Sequence, residues 1–389
     1  MNDLGNILPL WREVEKAGAD YVLATVVAVE GSSYRKPGAR MLLTQDGRRA
    51  GTVSGGCLEA EVARRAWWLT ASGPVVERYS TQDDGDERPY GSGCGGVVYL
   101  LLERRQTAGP LLAALDEAFQ KREPLAIATV VGGRQIGMHA LAGTANCSAE
   151  IRAGEESGTD SAGSGIVTRE LQRVAARAFE THTSFEETFA AEGVGTRVFA
   201  DSLPARTGLW IFSAGDDAMP LLQLAQTMGW YTAIADGRSH LATRERFPTA
   251  DHVVVLPIGD LQKAAPRYLS LRPTDAAVVM THSLEQDSQV LASLLSLDFP
   301  LAYLGVLGPQ RRTRELLAEA ARLLHLADIG DQVDRWLAQM NAPTGLDLGA
   351  DTPATIALSI LAEVQKSLTA TTGRPLHQVR AEKQAFTRR

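Results

Sequence analysis

Two cysteines with glycine neighbours are the side chains of this sequence best suited to chemistry. Cys57 follows Gly55 and Gly56 in TVSGGCLEAEV, and Cys94 lies in GSGCGG. Adjacent glycines allow tight turns and present bare backbone N–H groups to an anion. A helix is predicted to begin just after Cys57, and the N-terminus of a helix favours the thiolate form of a cysteine. The alternative is that both thiols are small buried apolar groups.

The spacing of these cysteines limits the metals they could bind. Cys94 lies 37 positions after Cys57, which excludes a Cys-x-x-Cys zinc site, and no histidine cluster completes one. Thiolates instead suit soft or sulfur-rich metal centres. The loop GSSYRKPGAR brings Arg35, Lys36 and Arg40 into the same half of the chain. Such a loop could hold a phosphorylated, sulfur-bearing ligand, or it could be an ordinary solvated surface.

A second group of candidates follows an apolar run in the other half. SAGDDA (213–218) keeps Gly215 of a dinucleotide-binding turn, and Asp236 ends the next predicted strand 21 residues later. The carboxylates of Asp216 and Asp217 would repel a pyrophosphate at that position. The alternative is that Asp217 only caps the following helix. We therefore predict weak NAD(P) binding at best.

Two further polar residues follow the predicted strand that ends in VVMT. His282 comes directly after it, and Asp287 lies five residues further on. Ligands of parallel sheets bind at the carboxyl ends of strands, so both are candidate binding residues, although a single histidine is often structural. Arg238 and Arg246 flank the segment after Asp236, where they could bind a phosphate or lie in solvent.

The elements that position these residues fall into three segments. Residues 1–142 contain apolar strands, a hairpin turning at Asp46-Gly47 and several helices, typical of an α+β domain. Within them, LATVVAVEGSSYRKPGARML is similar in pattern to IATVVGGRQIGMHALAG, which suggests a repeated strand-loop-strand unit. Residues 143–206 are predicted to be a polar linker and helical connector. Alternating strands and helices over 207–389 predict a Rossmann-like, doubly wound parallel sheet, so the fold class is α/β.

Composition excludes several classes of protein. The net charge is −7 and basic residues are scattered, which argues against nucleic-acid or membrane partners. No apolar run of about 18 residues predicts a membrane span, and the N-terminus lacks the pattern of a secretory signal. Three distant cysteines form no disulfide framework, so a cytoplasmic location is predicted.

Several blocks together resemble a known family. GSSYRKPGARMLLTQDGRRAGTVSGGCLEAEV, GCGG, RERFPTAD, VMTHSLEQD, YLGVLGPQRRTREL and GLDLGADTPATIALSILAEV resemble the xanthine dehydrogenase accessory proteins of the XdhC/CoxI family, in family order. The resemblance implies an N-terminal accessory domain, a C-terminal Rossmann domain and binding of the molybdenum cofactor, a molybdopterin dithiolene with a phosphate. Such proteins protect the cofactor, support its sulfuration and insert it into a molybdenum hydroxylase, acting as chaperones rather than catalysts.

The resemblance also suggests roles and partners. Cys57 and Cys94 would contact the molybdenum or its sulfur, beside Gly55 and Gly56. Arg35, Lys36 and Arg40 would offset the phosphate charge. The partners implied are a client such as xanthine dehydrogenase, a cysteine desulfurase, a molybdopterin nucleotidyltransferase and a second copy of the chain in a homodimer.

Two other functions are compatible with the sequence. An NAD(P)-dependent oxidoreductase would use Gly215, Asp236 and His282, but the sequence has no clear proton-donor pair such as Tyr-x-x-x-Lys. A docking scaffold would bind no small molecule in either half.

Overall fold

The chain forms two compact units, Met1–Arg206 and Thr207–Arg389. The computed structural model describes residues 3–56, 58–80, 96–144, 150–151, 161–191, 193–259, 261 and 267–380.

The first unit contains two five-stranded antiparallel sheets and four helices among its described residues. Its elements in chain order are α1 (Leu4–Lys16), β1 (Tyr21–Glu30), β2 (Arg40–Thr44), β3 (Arg49–Gly51), α2 (Glu59–Leu69), β4 (Val75–Ser80), β5 (Val97–Arg104), α3 (Arg105–Lys121), β6 (Leu125–Gly132), β7 (His139–Gly143), β8 (Glu150–Ile151), α4 (Ser161–Thr181), β9 (Phe185–Ala191) and β10 (Val194–Leu203). The first sheet has the order β3-β2-β1-β5-β4 and the second β8-β7-β6-β10-β9.

The strands of the first sheet follow from short-range sequence signals. The run YVLATVVAVE is apolar and rich in β-branched residues, and it forms the central strand β1. The predicted hairpin at Asp46-Gly47 is confirmed, because β2 pairs with β3 in antiparallel register and Leu43 lies opposite Arg49. Gly47 has a φ of +84°, which a glycine adopts without strain.

Each sheet buries both of its faces. Helix α2 covers the outer face of the first sheet, where Val62 packs with Val22 and Leu100, and α4 covers the second sheet in the same way. Helices α1 and α3 fill a shared core with residues from both sheets, among them Leu23 and Ile127. The two sheets are therefore one unit with a continuous interior.

The segment 143–206 differs from the predicted linker and connector. Helix α4 lies in it, and strand β10 lies between β6 and β9 in the second sheet. The sequence did not predict this arrangement because residues 143–168 are polar and rich in glycine. In addition, partly buried and exposed residues alternate in FEETFAA. Residues 161–203 therefore complete the first unit rather than join two domains.

The second unit is the predicted doubly wound α/β domain. Its elements are β11 (Gly208–Phe212), α5 (Ala218–Thr227), β12 (Tyr231–Asp236), β13 (His252–Val255), β14 (Ala276–Val279), α6 (Leu284–Leu295), β15 (Tyr303–Val306), α7 (Gln310–Leu323), α8 (Ile329–Leu337) and α9 (Pro353–Leu368). All pairs of the sheet, in the order β13-β12-β11-β14-β15, are parallel.

Both faces of this parallel sheet are covered by helices. One core joins the sheet to α6, α7 and α8 through residues such as Trp210, Leu291 and Leu316. The other joins it to α5 and α9 through residues such as Ile211 and Ile360. Two-sided burial explains why these strands are continuously apolar rather than alternating.

A search of the described residues finds no helix with the length and apolar character needed to cross a membrane.

Candidate functional site

Three connecting loops leave the same end of the first sheet. Strand β1 is antiparallel to β2 and β5, and β2 is antiparallel to β3. The end of β1, the end of β3 and the start of β5 therefore lie at one edge. The connections there are residues 31–39, which include Arg35 and Lys36, residues 52–58, whose sequence includes Cys57, and residues 81–96, whose sequence includes Cys94.

Contacts among the described residues join these three loops. The Tyr34 ring lies over Gly55, where a Cβ would be 3.6 Å from the ring, and it remains 74% exposed. A Cβ on Gly96 would overlap the carbonyl oxygen of Ser32, so only glycine fits there. Cys57 and Cys94 themselves lie outside the described residues. Gly55, two positions before Cys57, and Gly96, two positions after Cys94, both contact the 31–39 loop.

A buried hydrogen-bond network fixes the start of the Cys57 loop. The Glu59 carboxylate accepts hydrogen bonds from Val53 N at 3.2 Å, Ser54 N at 2.8 Å and Ser54 Oγ at 2.6 Å. The Ser54 hydroxyl oxygen accepts bonds from Gly56 N and Leu58 N, both at 3.1 Å. The backbone on both sides of position 57 is thereby held by two side chains that the sequence analysis did not identify.

The surroundings of Glu59 favour its ionised form. Burial alone would raise the pKa of Glu59, but the hydrogen bonds from Ser54 and Val53 outweigh it and hold the pKa below its ordinary value. The signal available in the sequence was a Ser followed by a Glu at the start of a helix, a pattern related to the capping box.

The predicted basic residues differ in their availability. Lys36 is exposed, and Arg35 pairs with Asp3. Arg40 is 5% exposed and donates to Asp201 Oδ2 at 2.8 Å and to Gly38 O at 2.9 Å. The expectation that Arg40 offsets a ligand phosphate is therefore corrected, because a buried ion pair already engages its guanidinium.

The second unit has a separate candidate crevice at its strand ends. The order in which the strands are connected reverses between β11 and β14, so the switch point lies between Gly215 and His282. Asp236 is fully buried there, and its carboxylate accepts bonds from Ala214 N at 2.7 Å and from three groups of Arg238. Burial would raise the pKa of Asp236, but these bonds outweigh it and lower the pKa. Asp236 thus ties the turn to the next strand instead of facing a ribose.

The acidic residues of the turn are paired across this crevice. His282 Nε2 lies 2.8 Å from Asp217 Oδ2, and Asp216 forms an ion pair with Arg246. Asp217 occupies the N-cap position of α5, as the alternative expected, but its side chain makes no capping hydrogen bond. His282 is a non-glycine residue with a φ of +65°, a strained conformation that functional sites often hold.

Asp287 has a structural role in the same crevice. Its buried carboxylate accepts hydrogen bonds from Thr281 N and Thr281 Oγ1, and Arg312 donates to it at 2.6 Å. The expectation that it binds a ligand is therefore corrected, because its oxygens already hold the loop after β14.

The described residues offer no ready-made metal centre. No group of three His, Cys, Asp or Glu side chains among them could hold a metal ion. A pocket lined by both polar and apolar residues, among them Leu301, Trp336 and Gln339, lies beside residues 294–301, which precede β15. It is therefore at the amino end of the parallel sheet, away from the crevice.

Fold and geometry together define a class of protein. The second unit is a Rossmann-type domain in which the Asp217 carboxylate lies beside Gly215 of the turn. The first unit brings Gly55 and Gly96, each two positions from a cysteine in sequence, to the same 31–39 loop. The protein is thus an α/β protein of two units, of which the second has a Rossmann-type sheet.

Comparison with known proteins gives the family. Residues 14–80 match the XdhC and CoxI family model, and residues 209–364 match the XdhC Rossmann domain model. The chain belongs to the XdhC and CoxI family, as the sequence resemblance predicted.

Three relatives show how far the similarity extends. A Bacillus subtilis protein named as a probable xanthine dehydrogenase subunit is 28% identical over 93% of this chain and 97% of its own. The molybdenum cofactor insertion chaperone PaoD of Escherichia coli is 36% identical over 32% of this chain and 39% of its own length. A crystal structure described as a xanthine dehydrogenase from Bacillus halodurans superposes with a TM-score of 0.67 at 27% identity, covering 94% of this chain and 96% of that one.

Proposed function

We propose that this protein is a molybdenum-cofactor accessory protein that binds molybdopterin as cargo and delivers it to a xanthine dehydrogenase-type molybdenum hydroxylase. The observation that carries the proposal is the meeting of three loops at one edge of the first sheet, with Tyr34 on Gly55 and Ser32 against Gly96. The relatives support it, since one is named as a cofactor-insertion chaperone and another as part of a xanthine dehydrogenase.

The donor set suits this cargo. Thiolates of Cys57 and Cys94 are soft ligands for molybdenum or its sulfur. A Cβ placed on Gly56 would meet no described atom within 4 Å, and the Tyr34 ring offers an exposed flat surface for a pterin to stack on. Lys36 is the exposed cation that can offset the phosphate, while Arg35 is shared with Asp3.

The finer steps of the cycle belong to the same proposal. The accessory protein receives the cofactor from a molybdopterin nucleotidyltransferase and protects it while it is bound. A cysteine desulfurase supplies the sulfur for sulfuration of the bound cofactor, and all these steps take place in the cytoplasm. Homodimerisation would present two such sites to a client. The Rossmann unit then docks the client or binds a nucleotide-like ligand.

The geometry disfavours the dehydrogenase alternative. A Cβ on Gly215 would lie 2.7 Å from Asp217 Oδ1, so the Asp217 carboxylate lies close to the turn that a pyrophosphate would approach. Asp236 has its carboxylate engaged by Arg238 and Ala214 N. Binding of NAD(P) would require both carboxylates to give up these positions.

Calorimetry with two ligands tests the proposal. Titration with molybdopterin should give a dissociation constant in the low micromolar range or tighter, equivalent to about −8 kcal/mol. Titration with NADH should give at most weak binding. Tight NADH binding together with no molybdopterin binding would overturn the proposal and favour the oxidoreductase.

A further inference from the structure

The first unit consists of two copies of one arrangement. Elements α1 through β5 and elements α3 through β10 follow the same order, α-β-β-β-α-β-β. Each copy forms its own sheet, and the two sheets have equivalent strand orders. The similarity of the two sequence segments noted above is confirmed, because they form the β1–β2 and β6–β7 pairs.

The registers of the strand pairs show which residues of the two copies occupy equivalent positions. Tyr21 lies opposite Thr44 and Thr25 opposite Arg40 in the first copy. Leu125 lies opposite Gly143 and Thr129 opposite His139 in the second. Arg40 and His139 are therefore equivalent positions.

The central strand of each copy carries the same irregularity. The pairing of β1 with β5 shifts register between Val26 and Ala28, and that of β6 with β10 shifts between Val130 and Gly132. The extra residues, Val27 and Val131, pack in one small cluster between the sheets. By the same registers, Glu103 on β5 is equivalent to Asp201 on β10.

Two reciprocal buried pairs join the copies at these positions. Arg40 of the first copy pairs with Asp201 of the second at 2.8 Å. His139 of the second copy lies 2.8 Å from Glu103 of the first. Each carboxylate also lies under a glycine of the loop that follows the central strand. A Cβ on Gly38 would be 2.8 Å from Asp201 Oδ1, and one on Gly137 would be 3.2 Å from Glu103 Oε1.

Two of the three connections at the binding edge are longer in the first copy than in the second. The β1–β2 loop is residues 31–39, against residues 133–138 for β6–β7. The connection from β4 to β5 spans residues 81–96, whereas Glu192 and Gly193 alone join β9 to β10. The second copy thus has no counterpart of the segment that holds Cys94.

We propose that the N-terminal unit is a fused pair in which only the first copy holds the cargo site, and that Asp201 of the second copy is a positioning residue for it. Asp201 fixes Arg40, and both residues contact Gly38 at the end of the 31–39 loop. That loop carries Tyr34, which covers Gly55 beside position 57. This inference rests on the function proposed above.

The equivalent pair provides a matched control. Asp201→Asn and Glu103→Gln each replace the carboxyl group of one of the two buried pairs that join the copies. The first substitution lies beside the 31–39 loop and the second beside the 133–138 loop. Full-length variants are purified from a host that makes the cofactor, and their pterin content is measured by fluorescence after oxidation. Asp201→Asn should lower pterin content at least tenfold relative to the wild-type protein, whereas Glu103→Gln should leave it within twofold.

Limited trypsin digestion gives a readout that needs no cofactor. Asp201→Asn should speed cleavage after Arg35 in the first loop at least threefold, and Glu103→Gln should do the same after Arg134 in the second. Arg40→Lys keeps a cation beside Asp201 but cannot reach both partners, so it serves as a milder variant if Asp201→Asn does not fold. It should lower pterin content severalfold.

Three results would overturn either the role inferred for Asp201 or the proposed function. An equal loss of pterin in Asp201→Asn and Glu103→Gln would mean general destabilisation and would overturn the inference. Unchanged pterin in Asp201→Asn or Arg40→Lys would also overturn it. Wild-type protein without pterin would instead overturn the proposed function, whatever the digestion shows.

Discussion

At the scale of single residues, the Cys57 loop depends on one carboxylate. Glu59 is 2% exposed, and its carboxylate accepts three hydrogen bonds from the two residues at positions 53 and 54. Because every partner is a donor, the site requires an acceptor with two free oxygens, which an ionised carboxylate provides. The backbone of Gly56 and Leu58, on either side of position 57, is therefore held in place by the Ser54 hydroxyl that Glu59 orients.

Glu59→Gln should therefore destabilise the first unit by about 2–3 kcal/mol, because the amide NH₂ replaces an acceptor with a donor facing donors. Since the pKa of Glu59 is lowered on folding, its contribution is present above the ordinary value of 4.5 and is lost as the pH falls through the folded value. Urea unfolding at several pH values should show the gap between wild type and variant closing in acid.

Glu117→Gln is the control for this measurement. Glu117 is an exposed helix residue paired with Lys121, and its removal should cost less than about 0.5 kcal/mol at any pH. A Glu59→Gln variant as stable as this control at neutral pH would show that the buried network is not needed.

At the scale of elements, a comparison of the two equivalent sheets distinguishes the segments needed for folding from those proposed to bind the cargo. Strands β9 and β10 are closed by two residues, and β4 and β5 occupy the equivalent positions. The longer connection in the first copy is thus not required to pair the strands.

Replacing residues 81–96 by the sequence of 191–194, Ala-Glu-Gly-Val, should leave a folded protein without cargo. A shorter loop lowers the entropy cost of closure by roughly 1 kcal/mol, which offsets the lost contact of Gly96 with Ser32. Circular dichroism should show a melting temperature within about 5 °C of the wild-type value, and pterin content should fall to background. Retained pterin would mean that the segment containing Cys94 does not hold the cofactor.

Sequence patterns predicted the elements whose signals are local. The apolar strands of the parallel sheet, the hairpin at Asp46-Gly47 and the helix 353–368 required only periodicity and turn chemistry. Strands β9 and β10 and helix α4 of the second sheet were missed because β9 has alternating charged residues and α4 begins in a segment rich in glycine and serine.

The parts of the site that could not be predicted depend on long-range contacts. Arg40 and Asp201 are 161 residues apart in sequence, and no local pattern indicates that they pair. Asp236 ends β12 as predicted, and Asp287 lies in the first turn of α6 after β14, but the hydrogen-bond partners of each carboxylate determine its role. A carboxylate that already accepts from Arg238 or Arg312 is structural, and sequence spacing alone does not show this.

At the scale of the whole molecule, each unit has cores of its own. Among the described residues, those of the first unit form four apolar clusters and those of the second form two others. Two units with separate cores should unfold as two cooperative transitions.

Calorimetry of the full chain should resolve and assign these transitions. Glu59→Gln should lower only the transition of the first unit, and Asp236→Asn only that of the second, each by about 5–10 °C for a loss of 2–3 kcal/mol. Asp298→Asn, at an exposed position of the second unit, should change neither. A single transition that both variants lower equally would show that the chain unfolds as one body.

The central claim is that the thiol of Cys57 holds molybdopterin. Serine keeps the size of this side chain but loses its affinity for soft metals. The measurement is the pterin content and melting temperature of Cys57→Ser and of Cys147→Ser, both purified from a host that makes the cofactor. Cys147 lies outside the family motifs and serves as the control. We expect that Cys147→Ser keeps the pterin of the wild-type protein, whereas Cys57→Ser keeps less than a tenth of it at an unchanged melting temperature. Burying a serine hydroxyl in place of the thiol would lower the free energy of unfolding by about 1–3 kcal/mol. If Cys57→Ser shows this loss of stability but keeps the full pterin content, the claim is contradicted and Cys57 is a packing residue.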